Sequence, residues 1–281
     1  APVAATTTAM MTTATVPAET RVGATATAVP AWPTTADADT AGVEVPMRPL
    51  TPADRIFILS GAGLSQASGI PTFRDAEGLW EGHDPMQVAT PQAWHADREL
   101  VRRFYDERRE KLDQIAPNPG HVALARLQQE LGPDRVQLVT QNIDGLLEAA
   151  GAPDVVAMHG SLRHLRCERD EDHPWVEVRG QQDPDATCTA CGAPMRPAVV
   201  WFGEIPLFMD RIQREACSCS LFVSVGTSGV VYPAAGLSQM ARSCGARCVE
   251  INPEPTGGIF HEVVAETSEV ALPRIVERWL G

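Results

Sequence analysis

Several groups of residues in this chain have the types and spacing that chemistry requires. The apolar run Ile56 to Leu59 enters Ser60-Gly61-Ala62-Gly63-Leu64-Ser65, which continues through Gly69-Ile70-Pro71-Thr72-Phe73-Arg74 to Gly78-Leu79-Trp80. A buried strand running into a turn of small residues predicts a phosphate-binding loop. Gly61 and Gly63 would let backbone N–H groups approach a phosphate, and a helix beginning near Ser65 would add its positive end. The spacing is not the G-x-G-x-x-G of ordinary dinucleotide folds. Phe73 and Arg74 instead offer an aromatic ring and a fixed cation able to cover a nucleotide. A Gly-Ala-Gly after a strand is more often a tight turn, so the weight rests on the whole run.

Gln141-Asn142-Ile143-Asp144 follows the apolar residues Val136, Leu138 and Val139. An amide and a carboxylate placed there suit a carboxamide and ribose hydroxyls, and suit a helix N-cap equally well. His159, in Met158-His159-Gly160, stands at another strand end, where an imidazole with a pKa near working pH can act as a general base. Cys167, Cys188 and Cys191 are the metal candidates. Two short thiolate pairs would make a structural zinc site, but Asp170 stands where the first pair needs its second cysteine, leaving His173 or a nearby carboxylate as fourth donor, or no metal at all. Tyr105 and Arg108, three apart in a predicted helix, share a face and together could grip a carboxylate; such a pair in an arginine-rich helix is otherwise a solvated surface.

The elements that must hold these groups read as strands alternating with helices. Strands are predicted at Arg55 to Ser60, Val136 to Thr140, Val155 to Met158, Val199 to Phe202, Leu221 to Val225 and Cys248 to Ile251. Helices are predicted over Gln92 to Ile115, His121 to Leu131, Leu146 to Ala150, Ala234 to Cys244 and Pro273 to Leu280. This alternation predicts an α/β, Rossmann-like, doubly wound parallel sheet with ligands at the strand ends. Residues 51–76, 126–160 and 198–281 form that part, and 77–125 with 161–197 form a smaller inserted module: a helical segment plus a polar, cysteine-bearing, zinc-ribbon-like segment. Glu77 to Pro91 reads as a mobile loop able to close over a ligand. Residues 1–50, rich in Ala, Thr and Pro, cannot bury enough surface to offset their ordering entropy and are expected to be a disordered tail. They lack the pattern of a secretory signal.

The 281 residues, 44% of them hydrophobic, allow a substantial core, and the net charge of −13 argues against nucleic acid or an anionic membrane as partner. Seven cysteines form no tidy disulfide framework, which favours a reducing compartment. A cytoplasmic monomer is expected.

The run Gly61-Ala62-Gly63-x-Ser65-x-x-Ser68-Gly69-Ile70-Pro71-x-Phe73-Arg74 resembles the sirtuins, NAD-dependent protein-lysine deacylases, from about Thr51 to the C-terminus. The resemblance implies that NAD is bound by Gly61, Ala62, Gly63, Ser65, Thr72, Phe73, Arg74, Trp80, Gln141, Asn142, Ile143, Asp144, Gly226, Thr227, Ser228, Asn252, Pro253, Glu254 and Ser268. It implies catalytic roles for His159, Asn142 and Asp144, with His159 deprotonating a ribose hydroxyl. Val199 to Glu204 is similar to the family's substrate segment: Val200, Trp201, Phe202 and Gly203 would flank the acyl-lysine, an exposed backbone edge pairing with the peptide. Tyr105 and Arg108, with Thr72 in place of an acid, resemble the members that remove succinyl and related acidic groups. Leu147 departs from the family's pattern, where a histidine is usual. The expected products are free lysine, nicotinamide and O-acyl-ADP-ribose; ADP-ribosyl transfer, NAD hydrolysis and non-catalytic NAD sensing are the rivals.

Overall fold

The computed structural model describes residues 49–71, 80, 82–229, 232–257 and 259–281. The expected tail, apart from its last two residues, lies outside them, as do Thr72, Phe73 and Arg74. In chain order the strands are β1 (Ile56–Ser60), β2 (Val136–Thr140), β3 (Val155–Ala157), β4 (Gly160–Cys167), β5 (Val176–Glu177), β6 (Met195–Val199), β7 (Leu221–Val225), β8 (Arg247–Ile251) and β9 (Glu262–Val264). The helices are α1 (Pro85–Val88), α2 (Pro91–Ala96), α3 (Arg98–Leu112), α4 (Pro119–Leu131), α5 (Leu146–Ala149), α6 (Met209–Ser218), α7 (Ala234–Ser243) and α8 (Ser268–Leu280).

Six strands make a parallel sheet in the order β3-β2-β1-β7-β8-β9. The chain builds outward from β1 in one direction, then returns to β1's other edge, so the order reverses between β1 and β7. A crevice opens at such a reversal, outside the carboxyl ends of the strands. β1 is buried along its whole length because both faces are covered. Ile56 and Ile58 pack with Leu124, Leu127, Leu272 and Ile275 of α4 and α8. Phe57 and Leu59, pointing the other way, pack with Ile212, Ala216, Leu237 and Ala241 of α6 and α7. Removing one such side chain, as in Ile58→Ala, costs about 2–5 kcal/mol.

A second sheet, β5-β4-β6, is antiparallel. Its strands account for two departures from the sequence reading. The stretch over 161–197 is not merely polar and turn-rich: β4 and β6 are well buried and form their own sheet. Of the core strand predicted at Val199 to Phe202 only Val199 is in a strand: it ends β6, which pairs with β4 rather than with the parallel sheet, and residues 200–202 lie beyond it. Alternation of type alone does not say which sheet a strand joins.

Further differences have local causes. No α-helix begins near Ser65; two 3-10 turns, Ala62–Leu64 and Gln66–Ser68, end at Gly69 with φ of 91°. The long helix predicted from Gln92 splits at Asp97, whose carboxylate caps α3 by accepting from Leu100 N. Within the segment read as a loop from Glu77 to Pro91, Asp84 caps the short α1. α8 begins at Ser268 and carries Pro273 inside it. The burial of Ala271, Leu272, Ile275, Val276 and Trp279 against α4 outweighs a helix-interior proline's cost of about 3 kcal/mol. α6 and β9 were not read from the sequence. Cys217 and Cys244 are joined as a disulfide between the ends of α6 and α7, with Cα atoms 5.3 Å apart, so two of the scattered cysteines do pair in space.

No helix among the described residues is long and apolar enough to cross a membrane.

Candidate active site

The glycine loop after β1 and the loop after β7 touch backbone to backbone. Gly61 N donates to Val225 O at 2.9 Å and Gly63 N to Gly226 O at 2.8 Å. A Cβ on Gly63 would sit 2.7 Å from Gly226 Cα, and one on Gly226, whose φ is 56°, would sit 2.6 Å from Leu64 N. The glycines are needed for the two loops to meet, and the N–H groups of Gly61 and Gly63 themselves are already used. The N–H groups of Ala62, Thr227 and Ser228 have no protein acceptor among the described residues. They are the loop donors left for an anion.

Ser65, fully buried, joins three elements. Its Oγ donates to Asp144 Oδ2 at 2.7 Å and accepts from Asn142 Nδ2 at 3.0 Å. Asn142 Nδ2 also donates to Gly61 O at 3.0 Å. Asp144 Oδ1 accepts from Leu146 N at the start of α5, the capping role weighed above, while Oδ2 accepts from Ser65. Burial pushes the Asp144 carboxyl above its ordinary pKa. Gln141 Nε2 reaches Thr227 Oγ1 at 3.1 Å, and Asn252 Nδ2 donates to Thr227 O at 3.1 Å, tying the ends of β2, β7 and β8 together. Ser268 lies beneath the glycine loop, its Oγ donating to Gly63 O at 3.3 Å. Trp80 is packed edge-on to Phe104 and Tyr105. Ile143 O accepts from Leu162 N, and Ile143 packs against the cluster that holds Phe104, Tyr105 and Trp201; Pro253 and Glu254 follow Asn252 beyond the end of β8.

His159 Nδ1 lies 3.0 Å from Gln141 O. A carbonyl oxygen only accepts, so Nδ1 carries the proton and Nε2 keeps its lone pair. Burial lowers the imidazole pKa, opposed by that hydrogen bond, and the ring is neutral at pH 7. Gly160, with φ of 86°, follows at once; a Cβ there would meet Ala198 O at 2.0 Å, so only glycine lets β4 leave His159 in place.

His121 and Asn118 were not singled out in the sequence. Asn118 caps α4, accepting from Gly120 N and His121 N, while its own N–H donates to His121 Nδ1. His121 Nε2 must then carry the proton, and it lies 3.3 Å from Ser65 Oγ. Burial lowers the His121 pKa to about 4. The signal lay in Asn118-Pro-Gly-His121, a cap box whose third helical residue is an imidazole.

The aromatic side of the site is built differently. Tyr105 and Trp201 are buried, and the indole Nε1 donates to the phenol oxygen at 2.9 Å. Burial raises the Tyr105 pKa. Arg108 is buried too: its guanidinium lies over Phe104 at 3.2 Å and over Trp80 at 5.3 Å, with Nη1 donating to Phe104 O. Its charge reaches the Tyr105 hydroxyl, so the pair is not on a solvated face. The substrate segment departs from expectation. Val200 N donates to His159 O, Phe202 N to Ala89 O and Trp201 N to Glu204 Oε2. Those donors are taken, which leaves Gly203 N as the donor of Val200 to Gly203 without an acceptor among the described residues, beside the segment's carbonyls.

Cys167, His173, Cys188 and Cys191 bring their ligand atoms within 4.8 Å of one another. Cys167 Sγ is 3.6 Å from Cys191 Sγ, and Cys188 Sγ is 3.4 Å from His173 Nδ1. A tetrahedron of thiolates about 2.3 Å from zinc has edges of about 3.8 Å, so this donor set could hold a zinc ion. Among the donors the sequence left open, His173 is the fourth. Asp170, in the place of the missing cysteine, lies 3.5 Å from His173 Nε2, where a carboxylate fixes the ring so that Nδ1 faces a metal.

Comparison with known proteins agrees with this architecture. A model of the Sir2 family matches residues 61–233. An NAD-dependent protein deacylase of Escherichia coli (strain K12) is 47% identical over 80% of this chain and 82% of its own length. One from Vibrio cholerae is 45% identical over 82% of this chain and 95% of its own. A Sir2 homologue solved in complex with NAD superposes with a TM-score of 0.73 at 36% identity, covering 82% of this chain and 91% of its own. A Sir2 protein bound to an inhibitor, 2'-O-acetyl-ADP-ribose and a deacetylated p53 peptide gives 0.65 at 28% identity, over 79% of this chain and 93% of its own. With its glycine loops abutting at the sheet's reversal and its relatives matching over most of its length, this chain belongs to the Sir2 family.

Proposed function

We propose that this chain removes acyl groups from protein lysines at the expense of NAD, giving nicotinamide and O-acyl-ADP-ribose. One observation carries the reading most: His159 is held by Gln141 O in the tautomer that leaves Nε2 basic, beside the loops that meet at the sheet's reversal. NAD, when bound, supplies an electrophilic ribose carbon, a nicotinamide leaving group and ribose hydroxyls. The chain's part is to bind, orient and move protons. The N–H groups of Ala62, Thr227 and Ser228, without acceptors among the described residues, would hold the pyrophosphate. Asn142 and Asp144, locked through Ser65, orient the nicotinamide ribose, and His159 Nε2 takes the proton of a ribose hydroxyl. A neutral imidazole is ready for that proton at pH 7, whereas an imidazolium is not.

Tyr105 and Arg108 line the acyl end. A buried guanidinium beside a phenol favours a chain ending in a carboxylate, such as succinyl or malonyl, over acetyl. Zinc, where bound by Cys167, His173, Cys188 and Cys191, serves structure, because the set is closed by four protein donors. The enzyme is assigned to the cytoplasm as a monomer. Three of its five free cysteines belong to the metal set, which suits a reducing compartment, while the Cys217–Cys244 disulfide is the feature that argues against one. Light scattering and alkylation of freshly extracted protein check both assignments.

Replacement His159→Ala tests the assignment of the base. Turnover of acyl-lysine peptide falls by roughly a thousandfold or more, while NAD affinity measured by calorimetry stays within about threefold; normal turnover by the variant refutes the role.

A further inference from the structure

Glu204 stands outside the groups assigned so far, yet it is the centre of the densest charged contact in the molecule's smaller sheet. Arg166 Nη2 lies 3.1 Å from both of its carboxylate oxygens, and Arg196 Nη2 bonds Oε1. Both arginines are buried, and they face each other across β4 and β6. Two like charges in that register repel unless a counter-charge bridges them. The same carboxylate accepts from Trp201 N at 2.8 Å, and Arg196 lies over the Trp201 ring at 3.9 Å. Trp94 packs against the indole at 5.8 Å. Trp201 is therefore fixed at its backbone and on its ring by one cluster, with its Nε1 presented to Tyr105.

An indole N–H can only donate, so the Tyr105 oxygen accepts and its own O–H must donate elsewhere. Among the described residues no acceptor takes that proton. We propose that Glu204 is a positioning residue for the acyl pocket: by fixing Trp201 it makes the Tyr105 hydroxyl a hydrogen-bond donor toward the distal oxygen of the acyl chain. The inference rests on the reading of Tyr105 and Arg108 as the acyl end. It adds that selectivity is set in part from the small sheet, through Arg166 and Arg196, by a side chain that touches no reacting atom.

The test compares kcat and KM on succinyl-lysine and acetyl-lysine peptides at saturating NAD for Glu204→Gln, Trp201→Phe, Tyr105→Phe and the Tyr105→Phe/Glu204→Gln double variant. Glu204→Gln lowers the succinyl-to-acetyl ratio of kcat/KM by about fivefold, through peptide KM. Trp201→Phe, which removes the indole N–H together with the ring that carries it, does the same and stands in should Glu204→Gln fold poorly. In the Tyr105→Phe background Glu204→Gln changes the ratio by less than about twofold, because coupled residues are not additive. Equal losses on both peptides, or the same factor with and without the Tyr105 hydroxyl, overturn the proposal. Arg108→Met, run alongside, separates the two claims. An unchanged ratio there while Glu204→Gln still lowers it removes the guanidinium's part in the acidic-acyl reading and leaves the Glu204 proposal standing, whereas a ratio lowered by Arg108→Met and not by Glu204→Gln overturns the Glu204 proposal alone.

Discussion

The two halves of the site are held by opposite means. On the cofactor side, neutral and small groups do the holding: glycines in backbone contact, Ser65, Asn142 and Gln141 hydrogen-bonded to the loops, and two imidazoles kept uncharged by burial. On the acyl side, buried cations do it: Arg108 over Phe104, Arg196 over Trp201, and Arg166 with Arg196 on Glu204. The contrast follows from what each half meets. A pyrophosphate brings its own charge and is best met by fixed dipoles that need no counter-ion nearby. An acyl-lysine pocket must be walled by aromatics, and guanidiniums are the cations that stack on such walls.

The comparison implies that the halves can be damaged separately. Stripping metal from the Cys167, His173, Cys188 and Cys191 set, or making Cys188→Ser, should loosen the small sheet. The structural zinc of small domains is worth on the order of 10 kcal/mol of folding free energy. Peptide turnover is expected to fall by about a hundredfold or more while NAD affinity, by calorimetry, changes less than about threefold. Equal loss of NAD binding would show that the halves are one unit.

A second experiment acts on the cofactor side alone. The folded His121 pKa is about 4, against 6.5 for the free side chain. Between those values the unfolded chain binds a proton that the folded one refuses. Stability is then complete above pH 6.5 and falls as pH drops toward 4, by roughly 3 kcal/mol in all. His159, also lowered, adds in the same direction. Urea melts from pH 7 to pH 4 on the wild type and His121→Gln measure the slope, which is shallower in the variant; identical slopes would remove His121 from the account.

The smallest expected effect lies on the acyl side. Arg108→Met lowers kcat/KM for succinyl peptides by about tenfold, roughly 1.4 kcal/mol, and for acetyl peptides by less than about twofold. Equal loss on both would contradict the carboxylate grip.

The same contrast explains what was legible in the sequence. The cofactor side depends on short runs, Gly61 to Ser65, Gln141 to Asp144 and His159-Gly160, each placed by the strand that precedes it. Order along the chain was enough to locate β1, β2 and β7, and through them the loops. What those runs could not reveal is how backbone donors are shared. The N–H groups of Gly61 and Gly63 bond to the neighbouring loop, a fact that appears only once β1 and β7 are adjacent. His121 escaped notice because its partner Ser65 is 56 residues away. The small sheet was hardest to read. Glu204, Arg166 and Arg196 are ordinary charges in sequence and gain meaning only when β4 and β6 pair, and His173 becomes a fourth ligand only by proximity.

The central claim is that NAD-linked acyl transfer depends on the basic Nε2 of His159. Mass spectrometry of products from an acyl-lysine peptide and NAD tests it most directly. The account predicts one O-acyl-ADP-ribose for each lysine freed, with neither formed by His159→Ala. Free or protein-linked ADP-ribose with the acyl-lysine left intact would contradict it.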